Sequence, residues 1–380
     1  ANMGAHLCPK CGENTIYFDG ICHSCRQRQR REEILNLSAN EVEAMILKIA
    51  DRIDEIEKRQ EIYNDFWALF SLLGIHDPKI ARAAAAAEIY CPPELYFGAP
   101  KDVRDALVHK LASLQDNAKN TLNDLLCALA WQGDEQTTRL FYELYQNPRP
   151  WRQKLYAGTE VYAQIGGWSF DQRGERKSLV FEKCLVAVRV KDGKCASQGA
   201  NLNSNQNADE PVQIGEPTGQ KCEFCGCEIL DMLRLKASEP QLAFLNLKHD
   251  AIFRCCPTCV GSVRYFCKRG PDGEIELSCD GEGFDESYFS QEDFARLCGM
   301  KFKLGGEVSP FYGCFSELDV TVGGYPQWVQ DAEYLLCPSC GGTMKHLAQI
   351  PFGEMIEGEG VIYVQICEKC EVLGGCFQCT

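Results

Sequence analysis

The sequence predicts an α+β multidomain protein with a small N-terminal zinc ribbon, an α-helical middle of HEAT-like or bundle type, and a β-rich C-terminal region with duplicated zinc-binding units. Three observations carry that prediction. CxxC cysteine pairs gather towards both ends of the chain. Apolar residues recur at three- and four-residue spacing between residues 38 and 150. Beyond Pro148 to Trp151 the pattern changes to short runs of valine, tyrosine and phenylalanine, which favour strands. The expected segments are a ribbon over 1–37, a helical region over 38–150, a β-containing connector with a mobile polar loop over 151–220, and two CxxC/CxxC units over 221–300 and 301–380.

The ribbon comes from Cys8, Cys11, Cys22 and Cys25. Two residues between thiolates let one tight turn place both sulfurs on one ion, and a second such turn completes a tetrahedron. The ten intervening residues, GENTIYFDGI, predict a short hairpin turning at Asp19-Gly20. His23 is read as a solvent-facing histidine rather than a ligand.

In the middle, Ser38 and Glu41 have the spacing of a capping box. A long helix is expected to follow, with Val42, Met45, Ile46, Ile49, Ile53 and Ile56 on one face, closing at Gly74 and Pro78. A second helix is expected from Lys79 to Ile89. Further on, Leu122, Leu125, Leu126 and Leu129 predict a helix, Gln132 to Asp134 a break, and Leu140, Phe141 and Leu144 a second helix. Helix hairpins of this kind suit a HEAT-type solenoid or a plain bundle equally. The stretch from Ala196 to Gln220 is rich in Asn, Gly, Gln and Ser and reads as a mobile loop.

The last two units explain each other. CEFCGCEILDMLRL from Cys222 and CPSCGGTMKHLAQI from Cys337 align as CxxCG followed by apolar residues: Ile229 with Met344, Met232 with Leu347, Leu235 with Ile350. Each runs on to a closing pair, 34 and 30 residues after its first cysteine. This predicts a repeat with one site at Cys222, Cys225, Cys256 and Cys259 and another at Cys337, Cys340, Cys367 and Cys370. Cys227 aligns with Gly342 and Cys255 with Ile366, so neither is required as a ligand. Cys376 and Cys379 either form part of a fourth metal site, replace the Cys367/Cys370 pair, or pack as small hydrophobes. Cys91, Cys127, Cys184, Cys195, Cys267, Cys279, Cys298 and Cys314 are expected to be buried.

The cofactor expected is Zn2+, in three structural sites within a range of two to four. Four thiolates leave no open position for an activated water, and HExxH, GxSxG and Walker A patterns are absent from the sequence, so no enzymatic activity is expected.

The segments KLGGEVSPFYGCF, VGGYPQWVQ, CPSCGGTMKHLAQI and VIYVQICEKC resemble the pattern of the YwqG and programmed cell death protein 2 family. The matching positions are Gly323, Gly324, Pro326, Trp328, Cys337, Cys340, Met344, Leu347, Gln349, Ile350, Cys367 and Cys370. The resemblance implies a zinc-stabilised, β-rich duplicated domain that binds polypeptides, as a chaperone of a ribosomal protein in eukaryotic members or as immunity-type proteins encoded beside toxins in bacteria. The helical insert and the N-terminal ribbon depart from the short members of that family.

Charge supports a cationic partner. The 380-residue chain carries 39 basic and 54 acidic residues, net −15, which repels phosphate backbones and draws in basic proteins. Gly323, Gly324, Tyr325, Pro326 and Trp328 are the candidate partner-binding residues; their plainer alternative is a tight turn with a core tryptophan. The competing class is a nucleic-acid- or ribosome-associated ribbon protein, suggested by Arg26, Arg28, Arg30 and Arg31 beside the first site. Those arginines are nearly cancelled, since residues 1–37 hold five basic and four acidic groups. No run approaches bilayer length and no apolar signal core precedes Leu7, so a cytoplasmic protein without a membrane partner is expected.

Overall fold

The computed structural model describes residues 4–12, 14–114, 118–191, 194–195, 210–314, 319–356 and 359–380. Its N-terminal hairpin joins β1 (His6–Leu7) to β2 (Thr15–Ile16), and helix α1 (His23–Leu35) follows. The hairpin differs from the expected one. Its strands flank the Cys8/Cys11 turn, because Gly12 takes φ +69° and the Cys8 amide donates to the Asn14 carbonyl at 2.8 Å, closing the chain around the first pair.

The helical region contains α2 (Ala39–Asp51), α3 (Gln60–Trp67), α4 (Pro78–Ala86), α5 (Lys101–Ser113), α6 (Lys119–Gln132), α7 (Glu135–Gln146) and α8 (Thr159–Ile165). The capping box is present: Ser38 Oγ accepts from the Glu41 amide, and a Glu41 carboxylate oxygen accepts from the Ser38 amide at 2.8 Å. The expected long helix breaks at Arg52 into a short 3-10 turn over Ile53–Glu55. Ile46, Ile49, Ile53 and Ile56 are all buried across the break. Periodicity reported which side faces the core and could not report whether the axis stays straight. Between α6 and α7 the break falls as expected: Gly133 is left-handed at φ +51°, and Asp134 caps α7 by accepting from the Thr137 amide.

The β-rich half adds β3 (Trp168–Phe170), β4 (Arg176–Ser178), β5 (Phe181–Lys191), β6 (Lys194–Cys195), β7 (Val212–Gln213), β8 (Glu216–Lys221), β9 (Glu228–Leu235), β10 (Ala251–Cys255), β11 (Val263–Arg269) and β12 (Ile275–Gly281). After α9 (Gln291–Cys298) come β13 (Lys301–Val308), β14 (Val320–Gly324), β15 (Lys345–Ile350), α10 (Phe352–Met355), β16 (Val361–Cys367) and β17 (Val372–Gln378). Of the expected polar loop, residues 196–209 lie outside the described residues, whereas β7 and β8 occupy 212–221 by pairing with β9.

Two sheets stack. The larger runs β12-β11-β17-β16-β15-β14-β5-β13, with β6 on β5; the smaller runs β10-β9-β7, with β8 also on β9. Leu230, Met232 and Leu233 of the small sheet share one core with Leu185, Val322, Leu347 and Val364 of the large one. Each such side chain, fully buried, stabilises the fold by about 1.5–3 kcal/mol. Strand pairing crosses the segment boundary expected at 300/301, because β11 pairs with β17. The helical core is likewise closed from the β half: Phe311 is buried among Phe70, Phe97 and Trp131, and Tyr325 stacks on Trp131 with ring centroids 5.7 Å apart.

Helix α1 is docked onto this body. Ile34 packs with Ala68, Leu72, Val186 and Val188, while Arg31 Nη1 donates to Asp319 Oδ2 at 2.8 Å and to the Tyr312 hydroxyl. Both ends of the ion pair are buried.

Candidate metal centres

Three groups of four cysteines have sulfurs lying within 4.8 Å of one another: Cys8, Cys11, Cys22, Cys25; Cys222, Cys225, Cys256, Cys259; and Cys337, Cys340, Cys367, Cys370. Each can hold a metal ion. The first pair of every group sits in the same turn. Gly12, Gly226 and Gly341, each directly after the second cysteine, have φ of +69°, +71° and +70°. Their amides donate to the carbonyls of Cys8, Cys222 and Cys337 at 2.7–2.9 Å. A Cβ-bearing residue is disfavoured there, which is the physical content of CxxCG.

The closing pairs are presented differently. Cys22 is the N-cap of α1 and Cys25 lies in its first turn; Cys259 opens a 3-10 turn before β11; Cys367 ends β16, and Glu371 at φ +55° turns the chain into β17. Measured sulfur separations are 3.8 Å for Cys11–Cys22, 3.8 Å for Cys222–Cys259, 3.5 Å for Cys225–Cys256 and 3.7 Å for Cys340–Cys367. A tetrahedron with metal–sulfur bonds of about 2.3 Å has edges of about 3.8 Å.

Electrostatics support a cation in each group. The Gly342 amide, with Cys370 and Cys367, draws Cys340 down to about 7, while burial pushes Cys367 of the same group up to about 12. At Cys8, burial is outweighed by amide donors from Cys22, Cys11 and Lys10, leaving it at about 6, yet burial pushes Cys25 up to about 12. Four sulfurs this close cannot all ionise alone; a divalent cation between them removes the conflict.

The remaining cysteines separate clearly. Cys376 is buried on β17 beside the Gln365 amide nitrogen at 3.7 Å, and Cys379 is half-buried; neither joins a four-sulfur group among the described residues. Cys184 and Cys267 are buried as expected, but Cys91 and Cys279 are exposed and Cys127 and Cys298 only half-buried, since Cys91 lies in a loop and Cys279 on the outermost strand of the sheet. The placement of the Cys195 and Cys314 side chains lies outside the described residues. Cys227 is nearer the chemistry than its alignment implied: it lies against Cys256, Ser287 and Thr258, and those contacts, Cys256 foremost, bring it down to about 6. His23 is exposed, its ring beside Gln27.

The Gly-Gly-x-Pro-x-Trp segment has internal work. A Cβ on Gly323 would lie 2.2 Å from the Lys183 carbonyl oxygen, and one on Gly324 2.5 Å from that of Pro310, at φ of +74° and +70°. Pro326 is buried, Tyr325 lies among Phe311, Phe97 and Trp131, and half-buried Trp328 packs on Tyr363 and Tyr334. All five candidate partner residues are therefore engaged by the chain itself.

Sequence reasoning missed what anchors the irregular stretch that follows. Gln349 accepts from the Gln327 amide at 2.7 Å, Gln365 from the Leu335 amide at 2.8 Å, and Gln378 from the Gln330 amide at 3.0 Å. One buried glutamine from each of β15, β16 and β17 thus satisfies backbone groups that no strand partner reaches. Only Gln349 was signalled, through the family pattern.

His346 on β15 was also missed as a titrating group. It is fully buried, neither ring nitrogen has a hydrogen-bond partner among the described residues, and burial lowers it to about 3. An unfolded histidine binds its proton near 6.5, so below that pH the unfolded chain holds a proton the folded chain refuses. Stability is complete above pH 6.5 and is lost progressively as pH falls towards 3. Relative to His346→Leu, the wild type should lose about 2 kcal/mol more between pH 7 and pH 5. Urea unfolding of both proteins at the two pH values reads this out; parallel losses would refute it.

No helix among the described residues is long and apolar enough to cross a membrane. No family model matches the chain, and no solved structure matches it. In sequence it is similar to the protein named "Uncharacterized protein YpfL" from Salmonella typhimurium (strain LT2), at 26% identity over 296 residues covering 76% of this chain. The chain spans 65% of the length of that curated relative.

Proposed function

We propose that the three groups bind structural zinc and that the protein binds a basic partner protein, either neutralising a toxin or sheltering a client. The observation that carries this reading is the combination of closed four-sulfur groups with an acidic surface. None of the twelve cysteines lines the cavities beside His249, Arg30 or His76, and a completed tetrahedron leaves the ion no site for substrate. The likeness to YwqG and programmed cell death protein 2 points the same way. The nucleic-acid reading loses one of its four arginines, because Arg31 is buried against Asp319. What remains, Arg26, Arg28 and Arg30, shares the same short segment with Asp19, Glu32 and Glu33.

Affinity capture with the metal-loaded full chain from its native cell tests the reading, with elemental analysis alongside. A stoichiometrically bound basic protein and about three zinc ions per chain are expected. Recovery of RNA alone, released steeply by salt, would overturn it.

A further inference from the structure

We propose that the open edge of β12 is a docking strand, onto which an extended lysine- or arginine-rich segment of the partner adds by backbone pairing. The inference rests on the basic-partner reading above and names the surface that serves it.

β12 is the last strand of the nine-stranded sheet. It pairs with β11 through all seven residues, Ile275 to Gly281, without a register shift, and has no strand on its other side among the described residues. Exposed edges are ordinarily blunted by charged side chains, lysine above all, by proline or by a bulge; β12 has no lysine, proline or bulge, and its charges are the carboxylates of Glu276 and Asp280. The opposite edge, β13, carries Lys301 and Lys303 and a register shift between Leu304 and Glu307. One edge is defended and the other is left regular.

The charge of the open edge selects its occupant. From Asp272 to Asp293 the chain holds nine carboxylates and no lysine or arginine. Glu276, Ser278 and Asp280 are all exposed, and their alternate positions place them on one face of the strand. Across the strand pair Glu276 stands opposite Lys268 and Asp280 opposite Arg264; Arg264 lies 3.9 Å from Asp280 and is held more closely by Glu333 at 2.6 Å, while Glu274, Glu282, Asp285 and Glu286 extend the carboxylates beyond these pairs. A regular strand edge bordered by carboxylates fits a cationic peptide and repels an acidic one. Just past the strand, Phe284 and Tyr288 stand exposed in an edge-to-face pair, ring centroids 5.3 Å apart, as apolar anchors beside the edge.

The second cysteine group holds the end of this edge in place. Phe224, between Cys222 and Cys225, covers Gly283 so closely that a Cβ there would lie 2.3 Å from its ring. The Tyr288 hydroxyl donates to the Thr258 carbonyl at 2.8 Å, and Ser262 Oγ donates to the Glu282 carbonyl at 2.9 Å.

The test uses the metal-loaded full chain and a fluorescent ten-residue peptide alternating lysine and valine, read by anisotropy. Its twin carries N-methyl groups on alternate residues, which keeps the charge and removes one edge of backbone donors. The plain peptide should bind at least about tenfold more tightly than the twin, and Glu276→Lys/Asp280→Lys should weaken binding of the plain peptide by at least about tenfold. Zinc content should be unchanged in that variant; if it is not, Glu276→Gln/Asp280→Asn should show a smaller loss in the same direction. Equal binding of the two peptides, or undiminished binding by a folded variant, overturns the docking strand. Undiminished capture of the native basic partner by that variant sinks the edge alone and leaves the basic-partner reading standing; failure of the wild type to capture any basic protein sinks both.

Discussion

Cys367→Ser should cost the chain one metal ion and its cooperative unfolding transition. Cys367 is buried at the end of β16, 3.7 Å from the Cys340 sulfur, and it ties the knuckle before β15 to the turn that launches β17. A structural zinc site contributes about 10–16 kcal/mol of apparent metal-coupled folding energy, against about 5–15 kcal/mol for the net stability of a whole domain. Losing one ligand of four therefore puts at stake an amount comparable to the whole net stability. Elemental analysis should fall by one ion per chain, and the thermal transition should broaden or vanish. Cys376→Ser is the matched control: an equally buried thiol from the same small core, belonging to no four-sulfur group, whose loss should leave metal content intact and cost about 1–3 kcal/mol. If Cys367→Ser keeps full metal content and its transition, the third group is not a metal centre.

Arg31→Ala should cost about 3–5 kcal/mol and loosen α1 without emptying the first cysteine group. Arg31 and Asp319 lie 2.8 Å apart, both buried, with the Tyr312 hydroxyl donating to the same Asp319 oxygen at 2.8 Å. Removing the guanidinium takes the Arg31 charge away from a buried carboxylate, and breaking a buried ion pair from one side is costly. The double variant Arg31→Met/Asp319→Leu should lose less than Arg31→Ala alone, because no charge is then stranded. Hydrogen exchange over residues 23–35, with metal content measured in parallel, separates undocking from loss of the ribbon. A cost under about 0.5 kcal/mol for Arg31→Ala would show that the pair does not hold the helix.

The cysteine groups were legible in the sequence because the chemistry fixes the spacing: a turn that brings two sulfurs to one ion needs two residues between them and, in the first pair of each group, a glycine after. The same holds for Ser38 with Glu41 and for Gly133 with Asp134, where one local hydrogen bond decides the outcome. Arg31 shows the limit. On the sequence it belongs to a basic run and reads as a solvated face, and only the arrival of Asp319, 288 positions away, buries it. Gln365 and Gln378 were opaque for the same reason, since a strand pattern does not say that an irregular segment will lie across it needing donors and acceptors. The pairing of β11 with β17, on either side of residue 300, was opaque as well, because strand order in a sheet is set by long-range pairing that no window of sequence contains.

The position of β17 carries a consequence for how the protein is made. Residues 372–378 lie in the interior of the large sheet, flanked by β16 on one side and β11 on the other. A nascent polypeptide can build the helices and fill the earlier cysteine knuckles, yet β11 and β12 have nothing to join until that late segment clears the ribosomal tunnel. A chain cut anywhere before Val372 would leave β16 and β11 without the strand that joins them, two incomplete pieces of sheet rather than a slightly shortened protein.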